Sequence, residues 1–200
     1  MRASPVIVLL FLGGCAVQTP VVPPPENMSK TSGELVKTLC FGHLRMKLPS
    51  EWELSFANSG VDGRAPRGET LRIVNLHRPP TDGQVEEPSA PDTLREFAAL
   101  KMASVRKIER IKLLQPYSTF ELAEFPASSM AVLYEEERDK NNYAIQYLLA
   151  EPGTVYMLTF DRTRVAESDV ANEKKQFDEI VRSAKRVEQV PGTDNSSCMY

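Results

Sequence analysis

Two histidines and three cysteines are all the imidazole and thiol chemistry that this 200-residue chain offers. His43 and His77 sit on stretches that read as strands, where a hydrogen-bonded structural histidine is the expected role. No His-Glu-x-x-His or Cys-x-x-Cys pattern surrounds them, and no glycine-rich loop could cradle a phosphate. A serine nucleophile would need a Gly-x-Ser-x-Gly elbow, and there is none. Glu135-Glu136-Glu137 is the densest run of carboxylates. Neighbours on a strand point to alternate faces, so the run reads as a solvated strand end rather than a converging site. These residues predict no catalytic group, no metal and no cofactor.

The composition supports a real core, with 42% hydrophobic and 26% charged residues. Twenty-four Lys and Arg against 27 Asp and Glu give a net charge of −3. A nucleic-acid partner is not expected, because a phosphate backbone is held by a basic face.

The remaining chemistry lies at the amino end. Arg2 precedes an apolar run from Val6 to Leu12, too short for a membrane-spanning helix of about 20 residues. It fits an export signal. Leu12-Gly13-Gly14-Cys15 then resembles the bacterial lipobox, an apolar residue and two small ones before cysteine. That resemblance implies that residues 1–14 are removed and that Cys15 carries the lipid. A multiply acylated cysteine meets the need for more than one membrane signal. Ala16 follows it in place of a retaining aspartate, which implies the periplasmic face of the outer membrane. Losing Arg2 makes the acidic balance one charge more negative, so the anchor is expected to do the tethering.

With Cys15 acylated, Cys40 and Cys198 remain in an oxidising compartment. A disulfide between them is one reading; a buried Cys40 with a loose Cys198 is the other. Residues 15–35 read as a Pro-rich tether, 36–188 as a single domain and 189–200 as a tail.

Within the domain, Phe41 to Leu48 alternates apolar and polar residues, the mark of one half-buried strand with Leu44, Met46 and Leu48 inward. Pro49-Ser50 ends it, and Trp52 to Phe56 is a second strand, with Trp52 a core or sheet-edge aromatic. Asn58 to Glu69 and Pro79 to Pro91 read as long loops, separated by a strand from Thr70 to Arg78. A helix is expected from Asp92 or Thr93, with Thr93 and Glu96 as a capping box and Leu94, Phe97, Ala98, Met102 and Val105 inward. Strands follow at Ile111–Leu114, Thr119–Phe125, Ser129–Glu136, Tyr143–Ala150 and Val155–Phe160. A last helix, capped by Ser168 and running to about Arg186, buries Val170, Phe177, Ile180, Val181 and Ala184. The expected class is α+β: an antiparallel sheet of about six to seven strands with a helix packed on each face.

Leu48-Pro49-x-x-Trp52, the mid-chain helix and the closing hairpin followed by a helix together resemble the PsbP/DcrB-like architecture of exported lipoproteins. Cys40-x-Gly42 with Pro49 seven residues later is similar to the opening module of periplasmic immunity proteins against type VI secretion phospholipase effectors. That resemblance implies a non-enzymatic binder of a secreted effector, although the second domain of that family has no counterpart here. The alternative is a housekeeping envelope lipoprotein that organises or chaperones a membrane complex. The expected contact elements are the two loops. Asp82, Glu86, Glu87 and Asp92 would steer a basic partner.

Overall fold

The computed structural model describes residues 35–57, 60–77, 87–137, 140–163, 165 and 167–188, all within a unit that runs from Thr31 to Tyr200. In chain order the elements are β1 (Leu35–Phe41), β2 (Leu44–Pro49), β3 (Glu53–Ala57), β4 (Gly60–Arg64), β5 (Thr70–His77) and α1 (Ala90–Val105). Then come β6 (Ile111–Phe120), β7 (Ala127–Glu137), β8 (Lys140–Glu151), β9 (Thr154–Thr163), a single turn at Glu167–Asp169, α2 (Val170–Arg182) and β10 (Lys185–Arg186). Seven strands form one sheet in the order β3-β4-β5-β9-β8-β7-β6, and β1-β2-β10 form a second. All the described pairings are antiparallel. The class is α+β, as expected.

The middle strands are buried on both faces. On β8, Tyr143, Ile145, Tyr147 and Leu149 point into the main core, while Ala144, Leu148 and Ala150 point the other way. Alternation places each set on its own face, so each face needs a cover. Phe177, Ile180 and Val181 of α2 cover the first, together with Leu39, Phe41, Leu44, Met46 and Leu48 of the small sheet. Phe160 of β9 stacks on Phe177 at 4.5 Å and meets Tyr147 edge-on at 5.8 Å. Helix α1 covers the second face as it carries the chain from β5 across to β6 at the far edge, resting Leu94, Phe97 and Ala98 on Leu148 and Val155.

Five local expectations are corrected. The stretch from Phe41 to Leu48 is not one strand but a hairpin, folded at Gly42-His43 with Phe41 opposite Leu44. Leu44, Met46 and Leu48 are nonetheless the buried set. The segment Asn58 to Glu69 is not all loop, because Gly60–Arg64 is β4. Two glycines and an aspartate hide its strand pattern, and a side chain at Gly63 would crowd the Trp52 ring at 3.1 Å. Trp52 is 4% exposed and belongs to the core.

Helix α1 starts earlier than expected. Ser89 caps it through the Asp92 backbone N–H, with Pro91 in the first turn where proline is tolerated. Thr93 is instead fully buried within the helix; its hydroxyl donates to the Ser89 carbonyl at 2.9 Å and accepts from the Gly153 N–H at 3.2 Å. The strands expected at Ile111–Leu114 and Thr119–Phe125 are a single β6 ending at Phe120, with register shifts on either side of Gln115. β6 is a sheet edge, which is where Pro116 can be accommodated. Asp169 rather than Ser168 stands at the N-terminal boundary of α2, with no side-chain capping bond, and the helix ends at Arg182, before the short β10.

Gly42 tests the hairpin. Its φ of +59° lies in the left-handed region, and an added Cβ would sit 2.8 Å from the Tyr156 hydroxyl. Gly42→Ala should lose about 1–2 kcal/mol or more in urea unfolding. An unchanged midpoint would refute the turn.

Candidate functional site

The end of the β1–β2 hairpin meets the β8–β9 turn, and the contact between them is polar. Glu151, the last residue of β8, has a side chain only 8% exposed, and both its oxygens are engaged. Oε2 lies 3.0 Å from His43 Nδ1 and accepts from the Tyr156 hydroxyl at 3.5 Å. Oε1 lies 2.9 Å from Arg186 Nε on β10. The His43 backbone N–H donates to the Tyr156 hydroxyl at 2.9 Å, its carbonyl accepts from Val187 at 2.8 Å, and the Arg186 N–H donates to Glu124. One buried carboxylate therefore ties all three strands of the small sheet to the large one. His77 stands at the same end of the large sheet, where β5 meets β9, with Nδ1 3.1 Å from the Thr154 hydroxyl.

This is a pinning arrangement. The imidazole ring of His43, which stands in the turn between β1 and β2 rather than on a strand, and the Glu151 carboxylate hold each other and the elements that carry them, while His77 is exposed at the end of β5. Among the described residues, no group of three or more His, Cys, Asp or Glu side chains converges to hold a metal. No helix among them is long and apolar enough to cross a membrane.

A second polar cluster lies at the opposite end of the same face, under the start of α2. Arg162 of β9 pairs with Glu173 and lies 3.7 Å from Glu69, and the side chains of all three are at most 15% exposed. Tyr147 donates to Asp178 at 2.6 Å, and Lys174 Nζ lies 2.8 Å from both Asp178 oxygens. Burial raises the hydroxyls of Tyr143, Tyr147 and Tyr117 well above the ordinary phenol range. Asp178 adds to the first two, by its charge at Tyr143 and mainly by hydrogen bonding at Tyr147. Tyr156 is pushed up to about 12, first by burial; the His43 N–H works against the rise and Glu151 with it.

Of the site residues singled out in the sequence, Cys40, Glu87 and Asp92 are described. Cys40 is 8% exposed, opposite Arg45 on β2, and disulfide-bonded. Cys15, Cys198, Asp82 and Glu86 lie outside the described residues. Glu87 is exposed, and its carboxyl carbon would be 3.5 Å from a Cβ on Gly153, beside the β8–β9 turn. Asp92 is exposed but occupied: it accepts from the Ser89 hydroxyl at 2.6 Å and pairs with Arg95 at 3.1 Å. Of the four acidic residues, only Glu87 and Asp92 are therefore described, and Asp92 serves the start of α1. The Glu151 and Arg162 clusters escaped the sequence reading because their partners are far apart in the chain, with no spacing to connect them.

No family model matches the chain, and no curated protein matches it. Solved structures similar to it include the PsbP of the cyanobacterium Synechocystis sp. PCC 6803 (CyanoP), at 14% identity and a TM-score of 0.47, over 82% of this chain and 100% of that one. Another is LpqN of Mycobacterium tuberculosis, described as involved in cell envelope biogenesis, at 14% identity and a TM-score of 0.48, over 72% of this chain and 83% of that one. A third is a protein of Bacteroides thetaiotaomicron, at 10% identity and a TM-score of 0.48, over 78% of this chain. The match spans 50% of the length of the Bacteroides protein. At these identities and scores, neither site nor partner is carried across.

The buried hydroxyls set an alkaline limit. An unfolded tyrosine ionises near 10, so a raised folded value means that the native state holds its proton longer. Stability should be intact below about pH 10 and fall as pH climbs towards about 12, by up to about 1.4 kcal/mol per pH unit for each such group. Urea midpoints at about pH 8 and about pH 11 should show the loss, and Tyr156→Phe should make it shallower. If all six tyrosines of the folded chain gained phenolate absorbance together near pH 10, the burial would be refuted.

Proposed function

We propose that this chain is a lipid-anchored periplasmic protein that acts by binding rather than by catalysis. Its anchor is Cys15 at the periplasmic face of the outer membrane, and its partner is a secreted phospholipase-type effector that it neutralises. The reading is carried by the export signal ending in Leu12-Gly13-Gly14-Cys15. It is supported by the disulfide-bonded state of Cys40, which suits an oxidising compartment. Once Cys15 is acylated, Cys198 is the thiol left to pair with Cys40.

The polar clusters join elements of the fold: Glu151 joins His43, Tyr156 and Arg186, and Arg162 joins Glu69 and Glu173. The Cys40-x-Gly42 segment and Pro49, which resemble the opening of immunity modules, lie in the hairpin whose turn residue His43 is held by Glu151. A membrane-tethered protector gains from high local concentration on the surface under attack.

Mass mapping of the chain recovered from membranes should find acyl groups on Cys15 and, without reductant, a Cys40–Cys198 peptide pair. Cys15→Ser should shift the chain from the detergent phase to the aqueous phase; unaltered partitioning would remove the anchor. Mixing the purified chain with any phospholipase-type effector encoded beside it should give stoichiometric inhibition. Neither binding nor inhibition would remove the immunity role and favour a housekeeping role in the envelope.

A further inference from the structure

Helix α1 is apolar on more than its inward side. Ala99, Leu100, Ala103, Ser104, Lys107 and Ile108 follow one another at helical spacing and are all exposed. Leu100 is 59% exposed and Ile108 51% exposed; among the described residues, Phe56 on β3 is the only other large hydrophobic exposed in this way. Past the end of α1 the chain stays tightly wound. Lys107 donates to the Ser104 carbonyl, Ile108 to that of Val105 and Ile111 to that of Ile108. These turns hold Ile108 in one knob with exposed Arg106, Lys107 and Arg110, opposed in sequence only by Glu109. Among the described residues, none of those three cations takes part in an ion pair. In a chain of net charge −3, this is a local positive surface with two protruding apolar side chains.

Cations beyond a helix end offset its carbonyl dipole, but that leaves Leu100 and Ile108 in water without a reason. Basic groups around exposed aliphatics match an anionic bilayer interface: the cations meet headgroups and the aliphatics enter the acyl boundary. We propose that the outward side of α1 from Ala99 to Ser104, with the basic turn Arg106–Arg110, docks the domain on an anionic lipid surface. The proposal rests on the envelope reading for the presence of a membrane, but not on the acyl group.

The test uses the full chain carrying Cys15→Ser, so that no acyl chain contributes. Any binding through residues 6–12 is common to all variants. Sedimentation with vesicles of phosphatidylcholine, alone or mixed equally with phosphatidylglycerol, should show binding at least about ten-fold tighter to the anionic vesicles. Arg106→Glu/Lys107→Glu/Arg110→Glu should abolish that preference, as should high salt. Ile108→Trp should shift its emission to the blue on anionic vesicles, with buried Trp52 as a constant background. Equal binding by the parent and the charge-reversed chain, or an unmoved Trp emission, overturns the proposal; an acidic protein as the true partner would give that result. A chain found unmodified at Cys15 would overturn the anchor and leave this comparison intact.

Discussion

Strands β8 and β9 are apolar on both faces, and most of the architecture answers that requirement. Neither Tyr147 and Leu149 on one side nor Leu148 and Ala150 on the other can be left in water, since each large side chain buried contributes about 1.5–3 kcal/mol. A sheet with two apolar faces needs two covers. The chain supplies one with the crossover helix α1, and builds the other from α2 and the small sheet together. The second cover is the deeper. Phe177 and Val181 are almost wholly buried, whereas α1 has no large apolar side chain buried to the same degree.

The deeper cover is held by charge at both ends of the same face. Glu151 fixes the small sheet at one end; Arg162, with Glu69 and Glu173, fixes the start of α2 at the other. Such buried pairs are costly to desolvate and are weak evidence of net stabilisation. Here Glu69 Oε2 and Glu173 Oε2 remain buried without a hydrogen-bond partner, so that arrangement is not optimised for stability. What it supplies is register: Arg162 reaches both carboxylates only when β9, α2 and the segment before β5 are all in place. Glu173 in the first turn of α2 also complements the helix dipole.

Legibility in the sequence followed periodicity. The inward set Val170, Phe177, Ile180 and Val181 on α2, with Ala184 just past its end, could be read from spacing, as could Leu44, Met46 and Leu48, because one face is apolar and the other is not. β4 could not be read, since two glycines and an aspartate hide its strand pattern. The hairpin at Gly42 was hidden because Phe41 to Leu48 alternates smoothly across the turn. The polar pins had no local mark at all: His43 and Glu151 are 108 residues apart. The capping signal was present, but the pair in use was Ser89 with Asp92, three residues before a helix start inferred from the first residues past Pro91.

The contrast between the two covers bears on how the molecule meets its surroundings. α2 spends its large apolar residues inward and keeps Lys175 and Arg182 in water, and Glu173, which it buries, is matched by Arg162. α1 divides its apolar residues, with Leu94 and Phe97 against the sheet and Leu100 facing solvent. A helix that served only as a cover would gain nothing from the second set. The net charge of −3 suggested a surface that avoids anionic lipid, yet net charge averages over a surface on which Arg106, Lys107 and Arg110 stand together. Contact at a membrane responds to the local field within about 10 Å, not to the molecular total. An acidic protein can therefore present one basic, greasy side to a membrane while keeping the rest of its surface free for a partner.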